Sequence, residues 1–89
     1  MKEIVLFMSP LCPDCPPIVK RLEEENIAYR KVNITNSMAE LKEFLKLRDT
    51  DPYFNQIRKE NMVGIPTIVV DGENYYDPYE IEDFKILKD

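Results

Sequence analysis

The first apolar run of the chain is Ile4–Met8, five consecutive hydrophobic residues with no charge among them. A run this short and unbroken reads as a strand covered on both faces, because a solvent-facing side would place polar residues at alternate positions. A helical pattern follows. It opens around Cys12 and Pro13, carries Ile18, Val19 and Leu22 as its stripe, and stops at Asn26. Proline suits a first turn. Pro17, however, would delete a hydrogen bond back to Pro13, so regular geometry is expected only beyond it. Tyr29–Ile34 is a second, more polar strand suited to a sheet edge. Ser37 and Glu40 have the spacing of a capping box, and Met38, Leu41, Phe44 and Leu45 continue as a helical face to about Leu47. Asp51–Pro52 is another start signal. Phe54 and Ile57 are the expected buried side of that short helix, which ends near Asn61. Thr67–Val70 is the third strand, Asp71–Gly72 a tight turn and Asn74–Tyr76 the fourth strand. Asp77–Pro78 repeats the start signal with Glu80 placed to complete the cap, and Ile81, Phe84 and Leu87 face the core from a last helix.

The predicted order is β-α-β-α-α-β-β-α. Strands joined through a helix run parallel with a right-handed crossover, and the closing hairpin is antiparallel. The expected fold class is α/β, a four-stranded mixed sheet flanked by helices, in one domain over residues 1–89.

Charge narrows the partners. Seventeen acidic residues against twelve basic give a net charge of −5, which disfavours nucleic acid and anionic membranes, since both reward a basic face. No apolar run approaches the ~20 residues of a membrane span, and the N-terminal run is too short for a signal peptide. Cytoplasmic localisation is the expectation.

Both cysteines lie in the stretch SPLCPDCPPIV, with four of the seven prolines. A bridge between Cys12 and Cys15 would close a loop too small to stabilise much, and a C-x-x-C in a reducing compartment is catalytic or metal-binding. At a strand-to-helix junction, Cys12 would face free N–H groups and the positive end of the helix dipole, which favour thiolate. Cys15, one turn on, is close enough to attack a mixed disulfide formed at Cys12. Zinc needs four ligands, and the chain has no histidine and no second cysteine pair. Two thiolates alone suit Cu(I), with Met8 nearby. A Cu(I)-binding or redox-sensing module therefore stands as the alternative to an enzyme. Pro66, in VGIPTIVV, opens an internal strand, the position where a missing N–H costs the ladder nothing. Val63, Gly64 and Ile65 are placed to form an apolar rim beside the thiols. Arg48 and Lys20 read as solvated helix-face charges.

Taken together, SPLCPDC after an apolar strand, GIPTIVVDG further on and an amphipathic C-terminal segment resemble the glutaredoxins of the thioredoxin-fold superfamily. The middle, LKEFLKLRDTDPYFNQIRKENMVGIP, is similar to a bacterial glutaredoxin-related group with an extra helical turn. The resemblance implies a thioredoxin-like fold and thiol–disulfide oxidoreductase activity. It implies that Cys12 is the nucleophile, Cys15 the resolving thiol and Pro66 a cis-proline beside them. Ile65 would present its backbone to an extended substrate, with Pro13, Asp14 and Asp77 as further substrate contacts. The implied partners are a protein or small-molecule disulfide and an electron donor, either glutathione or a thioredoxin-reductase-type protein, with no tightly bound cofactor and no metal. Asp14 stands where the family usually has Tyr, Ser9 where it usually has Lys, and Tyr76–Asp77 where it usually has a Gly-Gly turn.

Overall fold

The structure is a computed structural model that describes residues 2–88. Strand β1 (Ile4–Met8) lies inside a four-stranded sheet of order β2-β1-β3-β4. β2 (Arg30–Asn33) pairs with it in parallel and β3 (Thr67–Val70) antiparallel, with Leu6 opposite Lys31 on one side and Ile68 on the other. β4 (Asn74–Tyr76) completes the hairpin with β3. Every residue of β1 is buried, as its unbroken apolar run requires.

Side chains alternate across a strand, so β1 feeds two cores. Ile4, Leu6 and Met8 pack with Ile68, Val70, Ile18 and Leu22 on one face. Val5, Phe7 and Val69 pack with Val32, Phe44 and Phe54 on the other. Helix α1 (Pro16–Glu24) supplies Ile18 and Leu22 to the first core. Helix α2 (Met38–Arg48) and a 3₁₀ turn (Pro52–Phe54) leading into helix α3 (Asn55–Lys59) cover the second. Asn26 and Asn61 both adopt left-handed backbone and end α1 and α3, with Ile27 N–H bonded to Leu22 and Met62 N–H to Ile57. This is the paired-bond ending that asparagine tolerates well.

Four details differ from the sequence pattern. Helix α1 begins at Pro16, not at Cys12. Starting there puts Pro16 and Pro17 at the first two helical positions, where their missing N–H groups have no intrahelical acceptor to lose. Met38 is exposed, because α2 meets the core through Phe44 with Leu41 and Leu47 beside it. The Ser37 hydroxyl does accept the Glu40 N–H at 3.1 Å, but the Glu40 carboxylate reaches back to the Asn33 N–H at 2.9 Å. Finally, the closing segment is not an α-helix but two 3₁₀ turns, Pro78–Glu80 and Phe84–Leu87. Asp77 caps the first through Tyr79 N–H and Asp83 the second through Lys85 N–H. By accepting the Lys85 N–H, the Asp83 side chain offers the backbone an alternative to a continuing helix. Ile81, Phe84 and Leu87 still reach the core. The Arg21 guanidinium lies 3.7 Å above the Phe84 ring and bonds the Ile81 and Glu82 carbonyls, which fastens this segment to α1.

Candidate active site

The loop after β1 hangs on Ser9. Its side chain is buried and bonded to Thr35 Oγ1 at 2.7 Å, and it accepts the Leu11 N–H at 3.1 Å. Its carbonyl accepts the Cys12 N–H, and the Cys12 carbonyl in turn accepts the Cys15 N–H, both at 3.1 Å. Two successive three-residue turns thus carry the chain into α1, with Cys15 at the cap position and Cys12 in the turn before it. The sequence pattern had put Cys12 itself at the helix start. The prolines move that start to Pro16, so the first-turn donors offered to Cys12 in that picture are absent at Pro16 and Pro17.

The two thiols differ in access. Cys12 is half-buried, whereas Cys15 is fully buried in the core of the first sheet face. Burial pushes the Cys15 thiol up to about 12, with the Cys12 sulfur and the Asp14 charge adding to the effect and a bond from the Ser9 backbone opposing it. One consequence is measurable. Near neutral pH, alkylation of the folded protein should stop at one label, on Cys12, and the second should appear only on unfolding or as pH climbs toward about 12. The group also makes stability pH-dependent. Its folded pKa lies above the free value of 9.0, so its contribution is complete below that value and declines as pH rises through the interval to about 12. Two labels at neutral pH without denaturant would contradict this placement.

Next to the cysteine loop lies an open cavity of about 200 Å³, which Asp14 of that loop lines and neither cysteine does. It brings together Asp14, Ile65, Pro66 and Asp77, four of the residues singled out from sequence, and leaves out Pro13, which is exposed on the loop. The Ile65–Pro66 peptide bond is cis and Pro66 is buried. Ile65 and Cys12 pack against the same buried cluster around Cys15, so the cavity wall and the accessible thiol share a support. Gly64 precedes them at φ +101°, and a Cβ there would come within 3.1 Å of Ile57. The backbone angle favours glycine at this bend, and the tight approach to Ile57 adds to that preference. Thr67 Oγ1 donates to the Gly64 carbonyl and braces it.

Tyr53 and Tyr79 complete the cavity, and neither was singled out from sequence. Their common signal is the triplet Asp-Pro-Tyr, which occurs at 51–53 and again at 77–79. In each copy the aspartate accepts the tyrosine N–H, at 2.9 and 3.0 Å, and the chain makes one 3₁₀ turn. The Tyr79 hydroxyl donates to the Asp14 carbonyl at 2.6 Å and ties its turn to the cysteine loop. Partial desolvation and then the nearby negative charge of Asp14 hold this phenol above its ordinary range, so it remains a donor. Burial, with Asp77 and Glu80, pushes the Tyr53 phenol up to about 12.

Arg48 is not the solvated charge that its helix position suggests. Its side chain is only 20% exposed, its Nε bonds the Val63 carbonyl at 2.8 Å and its terminal nitrogen the Met62 carbonyl. It holds the rim segment in place. Lys20 is exposed, as expected. Val63 is exposed too, while Met62, Gly64 and Ile65 line the cavity.

The glutaredoxin family model matches residues 4–74 of the chain. A protein of Haemophilus influenzae, described only as uncharacterized, is 33% identical over 70 residues, which cover 79% of this chain and 81% of that one. No solved structure matches. The family match spans both cysteines and Pro66 and ends before Asp77 and Tyr79.

Proposed function

The chain belongs to the glutaredoxin family, and on that basis we propose that it is a thiol–disulfide oxidoreductase in which Cys12 attacks and Cys15 resolves. The observation that carries the assignment is the asymmetry of the pair: one half-exposed thiol and one fully buried thiol, two residues apart in a braced loop. The Cys12 thiolate attacks one sulfur of a substrate disulfide. The S–S bond breaks, the first half leaves as a thiolate that takes up a proton, and a mixed disulfide remains on Cys12. Cys15 then gives up its proton and attacks the Cys12 sulfur, which releases the second half as a thiol. The substrate gains two electrons and the protein is left with a Cys12–Cys15 disulfide.

Ile65 and Pro66 form the wall along which the substrate lies, with Asp14 and Asp77 lining the same cavity; Pro13 stiffens the loop. Reduction of the spent disulfide requires an external dithiol or two monothiols. The family's usual reductant is glutathione, and a thioredoxin-reductase-type protein is the other donor class. The reaction belongs in the cytoplasm, where such a pair is kept reduced. The test is turnover of hydroxyethyl disulfide, coupled in one assay to glutathione with its reductase and in the other to thioredoxin reductase. Turnover with either donor supports the reading and names the donor. No turnover with both refutes it.

A further inference from the structure

The cavity that Asp14 joins to the cysteine loop has a one-sided chemistry. Asp14 and Asp77 line it, Glu80 follows within the same 3₁₀ turn as Tyr79, and no Lys or Arg among the described residues contributes to its wall. The two arginines behind the rim segment are occupied elsewhere. Arg48 is committed to the Met62 and Val63 carbonyls and to Asp49, and Arg58 to the Arg48 and Asp51 carbonyls and to Asn55. Tyr53 and Tyr79 add two aromatic rings to the same wall. Carboxylates and ring faces both attract a cation, and both leave a carboxylate ligand without a charged partner. The space, about 200 Å³, is below the ~300–1,000 Å³ of pockets for drug-sized ligands. It suits a group the size of one amino-acid side chain.

We infer that this cavity selects disulfides that carry a positive charge close to the sulfur, with Asp14 and Asp77 as its specificity-determining residues. The inference rests on the dithiol reading above. Asp77 and Tyr79 lie beyond the span matched by the family model. The positive charge can come from a free aminothiol or from a basic residue flanking a cysteine in a peptide.

The test compares kcat/KM for cystamine with that for dithiodipropionate, and for a cysteine peptide disulfide flanked by lysines with one flanked by glutamates. Hydroxyethyl disulfide serves as the neutral reference. The cationic member of a pair is expected to be favoured by about tenfold, mostly through KM, at low ionic strength. The preference should shrink as the Debye length falls from about 30 Å near 0.01 M salt to about 3 Å near 1 M. Asp14→Asn combined with Asp77→Asn should bring the ratio toward unity; asparagine at 77 keeps an oxygen for the Tyr79 N–H cap. A preference in the cystamine pair assigns a free aminothiol, and one in the peptide pair alone assigns a protein substrate. Equal or reversed rates in both pairs, or a ratio untouched by the double substitution, overturn the inference. Failure of the underlying reading looks different, because hydroxyethyl disulfide would then not turn over at all.

Discussion

Serine in place of Cys12 is expected to lower kcat/KM for disulfide reduction by about 10³-fold or more, the scale on which loss of a covalent nucleophile is felt. A serine hydroxyl stays protonated at neutral pH and is a poor nucleophile toward sulfur. Cys15 cannot substitute for it. That side chain has no solvent exposure, and a thiol pushed up to about 12 is ionised to only about one part in 10⁵ near neutral pH. Serine at position 15 has a different consequence: attack by Cys12 proceeds, but the mixed disulfide can be released only by an external thiol. Steady-state turnover of hydroxyethyl disulfide by both variants checks the pair. A Cys12→Ser protein that retained more than a tenth of wild-type activity would contradict the roles assigned.

Alanine in place of Phe54 should cost about 3–5 kcal/mol of folding stability. The side chain is fully buried in the second core. Its ring meets Phe44 at 5.8 Å, Tyr53 at 4.9 Å and Tyr75 at 5.7 Å between centroids, each edge to face. Removing it opens a void where these three rings converge, and partial collapse cannot restore the contacts. A chain of this length has roughly 5–13 kcal/mol of stability in total, so the loss is a large fraction of it. The same ring backs Gly64, at 3.5 Å from where a Cβ would stand, and Tyr53. Loosening the core therefore also loosens the cavity wall that carries Ile65 and Pro66. Urea unfolding measures the change. Phe54→Leu, which keeps most of the volume, should cost much less, and a loss below about 1 kcal/mol for Phe54→Ala would show that Phe54 is not the keystone of this core.

Much of this fold is legible in the order of residues because its cues are local. Ile4–Met8 is apolar without a break, and Asp71–Gly72 provides two left-handed positions in the hairpin turn. Ser37 meets the Glu40 N–H three residues on. The cysteine pair is likewise marked by its spacing and Pro66 by its place at a strand start, whereas Ile65 and Asp14 come into view through the resemblance. Asp77 is visible as a cap and, through the resemblance alone, as a substrate contact. That it shares a cavity with Asp14 depends on how the last 3₁₀ turns fold back on the sheet. Arg48 and Ser9 were misjudged or passed over for the same reason: their partners, Val63 and Thr35, are 15 and 26 residues away. The run of prolines acts over the whole turn. A start at Pro16 spares the helix both missing donors, and this shifts Cys12 out of it.

The direction of chemistry between the two thiols is tested most directly by trapping. Reduced Cys15→Ser and Cys12→Ser proteins are each mixed with hydroxyethyl disulfide, quenched with acid and examined by intact mass and peptide mapping. The expected result is a single mixed disulfide on Cys12 in the Cys15→Ser protein, formed rapidly, and no adduct on the same timescale in the Cys12→Ser protein. An adduct that forms on Cys15 as fast as on Cys12 would contradict the account.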